Sequence, residues 1–187
     1  SAWAVYPIFL ALALNNIAAN IDMVAAGKDA VFITTVEVVF CGWCCMGGMG
    51  CTMPLNIQML RSKSKKINAI GKAAIFPSLF NINEPLVYGA PIALNPILMI
   101  PMWINALVLP TIAWFAFSSG LVTIPHAVMN VNQLPMPICS FLATHGDFRA
   151  VILVVGMFLL SWLIWWPFFK AHENKMVKEE MEMEAND

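Results

Sequence analysis

Val151–Phe169 reads VILVVGMFLLSWLIWWPFF, an apolar run without a charged side chain that ends at Lys170. About 20 mostly apolar residues let a helix cross about 30 Å of hydrocarbon, so this run decides the setting: a membrane. The rest of the chain agrees. Of 187 residues, 60% are hydrophobic and only 11% charged, and the mean hydropathy is +0.74. A soluble domain carries about 25% charged residues, so too little polar surface remains here to coat a soluble globule. The net charge of −1 carries no message about nucleic acid, and no basic patch interleaved with aromatics is present, so no nucleic-acid partner is expected.

The charges are segregated. Arg61, Lys63, Lys65, Lys66 and Lys72 form one basic stretch, and the tail from Lys170 to Asp187 holds most of the others. Both are placed on the cytoplasmic side by the excess of Lys and Arg in cytoplasmic loops. The number of full crossings between them is then even. Trp3–Val24 reads as a first span whose Asn15, Asn16, Asn20 and Asp22 face protein or water. Val31–Leu60 is long enough for a second, although Glu37 and Pro54 interrupt it and glycines crowd its centre. Nine of the twelve prolines lie between residues 73 and 146. Proline breaks or kinks a helix, and irregular backbone at membrane depth must be buried in protein or line a cavity.

The predicted fold is therefore an all-α polytopic membrane protein with about four transmembrane helices, two of them near 92–118 and 150–169. Two re-entrant or broken segments, near 73–91 and 121–146, complete it. Interrupted apolar segments of this kind point to a transporter's binding site. Residues 1–170 form the membrane domain, and 171–187 a charged cytoplasmic tail that is solvated and frayed. The opening Ser1-Ala2-Trp3 lacks an initiator Met and a signal-peptide pattern, and reads as a fragment or a processed chain.

Phe80-Asn81-Ile82-Asn83-Glu84-Pro85 is the sharpest chemical feature: one carboxylate and two carboxamides inside an apolar stretch. An ionisable group at membrane depth costs about 2.5–3.5 kcal/mol on insertion scales and marks a functional site by default. Asn both donates and accepts, and Glu accepts, a set that suits a polyhydroxyl ligand. The bland alternative is that Asn81 and Asn83 only cap broken helix ends.

Phe80–Pro96, FNINEPLVYGAPIALNP, resembles the signature of the lactose/cellobiose/diacetylchitobiose-type enzyme IIC proteins of the bacterial phosphotransferase system. The basic stretch Arg61–Lys66, the run Leu98–Pro101, Phe141–Thr144 with Gly146-Asp147, and Leu163–Lys170 resemble further family segments in the family's order. The likeness covers about Ala25 to Lys170, the C-terminal half of such a protein. It implies a multi-pass permease of the bacterial inner membrane that binds a β-linked disaccharide or similar sugar from outside. The sugar's 6-hydroxyl would then receive a phosphoryl group from the cysteine of a separate IIB protein, itself served by IIA. Glu84 would hold sugar hydroxyls near the acceptor end and is the catalytic candidate, with Asn83 beside it and Asn81 a further binding residue. The family stretch that also contributes to the site corresponds to Asn130–Pro137, where Asn132 and Gln133 are the candidates. His145 occupies a glycine position of the family turn and reads as a loop residue at the membrane surface. A homodimer, or a polypeptide supplying the N-terminal half and its GxHG histidine, is the expected assembly. No cofactor and no metal is expected.

Two other classes compete with the permease. One is a non-catalytic membrane subunit that kept the fold. The other is a soft-metal transporter, because Cys41, Cys44, Cys45, Met46, Cys51 and Met53 offer the thiolates and thioethers that suit copper(I). Packing explains the same residues, since Cys is a small apolar side chain. Helical spacing would place Cys41, Cys45 and Met49 on one face.

Overall fold

The computed structural model describes residues 2–129 and 134–186. Its described residues contain only helices, turns and extended connections: α1 (Ala2–Ala25), α2 (Val36–Phe40), α3 (Met53–Leu60), α4 (Lys65–Ser78), α5 (Glu84–Gly89), a 3₁₀ turn (Ile92–Leu94), α6 (Pro96–Ser118), α7 (Met136–Ala143) and α8 (Phe148–Asn186). Among the described residues, three helical stretches are long and apolar enough to cross a membrane: Pro7–Ala25, Pro96–Ser118 and Phe148–Ala185. The all-helical expectation holds. Val31–Leu60, expected as a span, is instead α2, a loop and α3. The cause is local: Gly42, Gly47, Gly48, Gly50 and Cys51 all have positive φ, which a right-handed helix does not admit. The helical face expected for Cys41, Cys45 and Met49 does not exist, because α2 ends at Phe40.

The chain divides into two compact units. The first comprises Ser1–Cys44 and Leu109–Met157. Its long helix α1 carries a polar side, as expected, and that side does structural work. The fully buried Asn20 donates to the carbonyls of Phe32 (2.8 Å) and Pro125 (3.0 Å), and accepts from the N–H groups of Val31 (3.3 Å) and Phe32 (3.0 Å). Asn16 donates to Thr34 O at 2.8 Å. Two non-helical connections thus find in side chains the partners that lipid cannot offer. Trp43 is fully buried, donates from its indole N–H to Ala150 O (3.1 Å), and meets the Phe117 ring edge-on. The expected broken segment near 121–146 is an extended stretch followed, beyond the undescribed residues, by α7.

The second unit comprises Cys45–Val108 and Phe158–Asp187. Leu55, Met59, Ile67, Ala74, Leu86, Leu98, Trp165 and Phe169 are among the residues of its core. α3 and α4 approach closely at Gly71, where a Cβ would lie 3.0 Å from Met59 Cβ and 3.1 Å from Leu60 N. The expected break near 73–91 is the end of α4, a turn and α5. α8 is 39 residues long, about 58 Å at 1.5 Å per residue. Its apolar part through Phe169 suffices for the hydrocarbon, and the charged part continues beyond it. The tail is helical to Asn186 rather than frayed. Glu173 accepts from Lys63 N (2.8 Å), and Glu180 accepts from Ser64 Oγ (2.7 Å), Lys65 N (3.1 Å) and Lys66 N (3.1 Å). Those last groups open α4, so a tail carboxylate fills the helix N-terminus, where donors lack intrahelical partners and negative charge is favoured.

Candidate functional site

α4 stops because the chain turns left-handed. Asn81 has φ +62°, a conformation Asn tolerates better than most residues, and Ile82 N closes the turn onto Pro77 O at 3.1 Å. Asn83 then precedes α5, and Pro85 lies in that helix's first turn, where a missing N–H costs nothing.

The turn is held against the glycine loop 47–52. Asn81 Oδ1 accepts from Gly47 N (3.1 Å), and Asn83 Nδ2 donates to Met49 O (3.0 Å). Gly48 has φ +103°, and a Cβ there would fall 2.4 Å from Asn83 Cγ, so only glycine fits. The loop's own polar groups are also engaged. Thr52 Oγ1 donates to Gly47 O (2.7 Å), Met53 N to Met46 O (3.0 Å), and Cys51 O accepts from the Trp165 indole N–H (2.9 Å) and Ser161 Oγ (3.3 Å). Behind the turn, buried Asn56 donates to Ser78 Oγ at 3.0 Å.

Asn83 precedes α5 without a side-chain capping bond, so capping does not explain its amide. Asn81 does end α4, and its amide oxygen also binds the loop. Glu84 differs from both: it is exposed, and among the described residues its side chain makes no hydrogen bond or ion pair. Tyr88, four residues on and therefore on the same side of α5, is 79% exposed. The structure thus brings Asn81, Asn83 and Glu84 together on one turn. Asn132 and Gln133 lie outside the described residues.

Sequence reasoning missed the interior amides. Asn56, Gln58 and Asn105 are buried in the same unit, each with an amide oxygen lacking a hydrogen-bond partner. Their only sequence signal is a lone carboxamide in an apolar run, which buried structural amides give equally. The five cysteines are free and buried. The Cys41 and Cys139 thiols hydrogen-bond to each other, and Cys45 Sγ lies 3.8 Å from Met49 Sδ. Among the described residues no three His, Cys, Asp or Glu side chains converge as a metal site.

Residues 2–106 match the family described as Phosphotransferase system, EIIC. The chain belongs to this family. This EIIC chain is 34% identical over 160 residues to the lichenan permease IIC component of Bacillus subtilis (strain 168), covering 85% of this chain and 35% of that one. It is 30% identical over 193 residues to the lactose-specific EIICB component of Lactococcus lactis subsp. lactis, covering 98% and 32%. The crystal structure of the transporter ChbC, the IIC component of the N,N'-diacetylchitobiose-specific phosphotransferase system, superposes with a TM-score of 0.85. That match is 33% identical and covers 94% of this chain and 40% of ChbC. The resemblance read from Phe80–Pro96 is borne out. The EIIC chain spans about a third of the length of these curated relatives.

Proposed function

We propose that this chain is the sugar-binding part of a phosphotransferase-system permease in a bacterial cell membrane. It takes up a β-linked disaccharide or similar sugar and presents it for phosphorylation. One observation carries the proposal: Glu84 is an exposed carboxylate with both oxygens uncommitted among the described residues, on a turn fixed by Asn81 and Asn83. A preorganised acceptor of that kind suits sugar hydroxyls, and the unspent Asn83 Oδ1 adds another acceptor. Tyr88 offers a ring face on which a sugar could pack. Lichenan, lactose and diacetylchitobiose appear in the names of the similar proteins, which supports a β-linked substrate.

Phosphorylation needs a partner. The phosphoryl group passes from a IIB cysteine to the sugar hydroxyl, the S–P bond breaking as the O–P bond forms and the hydroxyl proton ending on the released cysteine sulfur, with IIA restoring the donor. One similar protein is an EIICB component, which favours a IIB partner here. The role of Glu84 is to hold the acceptor end of the sugar in place. The assembly includes a second copy or a polypeptide that supplies the remaining family segments.

The test is sugar binding by the detergent-solubilised protein, with cellobiose, lactose and diacetylchitobiose as probes. Glu84→Ala is expected to weaken binding by about 1.5–3 kcal/mol, the contribution of a hydrogen bond to a charged group, and Glu84→Gln by less. Unchanged binding in both variants would refute the role of Glu84.

A further inference from the structure

Two of the chain's three histidines, His126 and His145, pack ring to ring in the first unit. Their centroids are 4.4 Å apart, with an interplanar angle of 70°. The contact is built by the backbone on both sides. His126 N donates to Ala143 O (3.1 Å), and His145 sits at φ +52° just past α7, where Gly146 N closes onto Phe141 O (2.8 Å). His126 Nδ1 lies 3.0 Å from Ile124 O. A carbonyl can only accept, so Nδ1 carries the proton and Nε2 keeps its lone pair. Metal-bound imidazoles are commonly oriented in this way, by donating the other ring N–H to a carbonyl.

We propose that His126 and His145 form a two-imidazole site for a divalent first-row transition ion. With a metal–nitrogen bond of about 2.0–2.1 Å and a ring radius of about 1.1 Å, each centroid would lie about 3.2 Å from the ion. In the structure the rings meet in a T-shaped contact; with each ring turned to aim one nitrogen at a common ion, centroids 4.4 Å apart would subtend about 90° at the metal, the angle between adjacent ligands in square-planar or octahedral coordination. Asp147 is no third ligand. Its Oδ1 is taken by Arg149 N (2.9 Å) and Nε (3.1 Å), and its Oδ2 by Thr123 N (3.0 Å) and Oγ1 (2.8 Å). No third His, Cys, Asp or Glu joins the pair among the described residues, so water completes the coordination shell. His145 is exposed, which gives the ion a way in.

The probe is Ni²⁺, titrated calorimetrically into the detergent-solubilised chain purified without a polyhistidine tag. The parent is expected to bind one ion per chain saturably. His126→Asn and His145→Asn are each expected to weaken binding by about tenfold or more, since even outer-shell changes cost 10–100-fold at metal sites. Asn is chosen because it tolerates the left-handed backbone at position 145. His172→Asn, which removes the third histidine, leaves binding intact. Affinity falls as pH drops from 8 to 6, because imidazole must be neutral to ligate. A measurement that needs no variant is paramagnetic broadening in the parent: Ni²⁺ is expected to erase the His126 and His145 ring signals and spare His172. Absent saturable binding, an affinity unchanged from the parent in both single variants, or broadening confined to His172 would each overturn the proposal.

Discussion

Replacing Gly48 by alanine tests the union of the glycine loop and the Asn83 turn, and the structure sets the size of the effect. Two penalties add. At φ +103° a side chain adopts a backbone conformation that costs an L-residue about 1–2 kcal/mol. The new methyl would also fall 2.4 Å from Asn83 Cγ and 2.6 Å from its Nδ2. Asn83 must then swing away and lose its bond to Met49 O, and overpacking of this kind costs about 1–3 kcal/mol. Gly48→Ala is therefore expected to destabilise the protein by about 2–5 kcal/mol. At the 2–4 °C per kcal/mol usual for chains of this size, the melting temperature falls by about 4–20 °C. The two penalties separate in the Asn83→Gly background, where the clash with the Asn83 side chain, its Cβ included, disappears and the backbone cost of about 1–2 kcal/mol remains. The assay is thermal unfolding of the four purified proteins of the cycle in one detergent. An equal effect of Gly48→Ala in both backgrounds would refute the contact, and an effect below about 0.5 kcal/mol, the scale of a neutral surface change, would refute the loop conformation.

Asn20→Ala removes a side chain that makes four hydrogen bonds to two extended connections. It is expected to destabilise by about 2–4 kcal/mol, since each buried group left unpaired costs about 1–3 kcal/mol and water can reach some of them; an unchanged melting temperature would contradict this. Glu180→Ala uncovers the amides of Lys65 and Lys66, so hydrogen exchange there is expected to accelerate while α3 is unaffected; unchanged protection would mean that the tail does not cap α4. Burial opposes ionisation of Asp147, but the N–H groups of Thr123 and Arg149, the Arg149 guanidinium and the Thr123 hydroxyl outweigh it and hold its pKa at about 2. An unfolded Asp titrates near 3.9, so this stabilisation is present above about pH 4 and is lost as pH falls towards about 2. Asp147→Asn is expected to flatten the acid limb of the melting-temperature profile in that window; an unaltered limb would remove Asp147 from the acid response.

The long helices were legible because their signal is composition over about 20 residues, and α6 and α8 lie where the apolar runs are. The Asn81–Glu84 turn was legible for another reason: a carboxylate and two carboxamides inside an apolar stretch have few bland explanations. Val31–Leu60 was misread because hydropathy counts glycine and cysteine as apolar and carries no φ. The clustered glycines at 47, 48 and 50 did mark close packing, but of a loop against Met53, Asn83 and Met102 rather than of helix against helix. The division of labour within the turn was not legible either. Asn81 and Asn83 read as binding residues beside Glu84, or as helix caps, until Gly47 N and Met49 O appear as partners more than thirty positions away. The tail misled for the same reason: a run rich in Glu reads as solvated until the unpaired N–H groups of Lys63, Lys65 and Lys66 are found beside it.

These contacts make α4 a strut fixed at both ends, with consequences for Glu84. At its start, the Ser64 hydroxyl accepts from Ile67 N at 3.2 Å while donating to Glu180, so the first turn is capped from within and from the tail. At its middle, the missing side chain of Gly71 seats it on α3. At its end, Asn56 binds Ser78, and Asn81 binds the glycine loop. α3 is in turn tied to α8, where Gln58 Nε2 donates to Trp162 O at 3.1 Å. A binding group gains most when its supports are rigid and its own hydrogen-bonding capacity is left for the ligand. Beyond the strut, the Asn81 oxygen and the Asn83 amide nitrogen are spent on the glycine loop, and the Glu84 side chain is spent on nothing described. That contrast, rather than the presence of a carboxylate in an apolar run, is the strongest physical argument for the proposal that Glu84 binds a sugar.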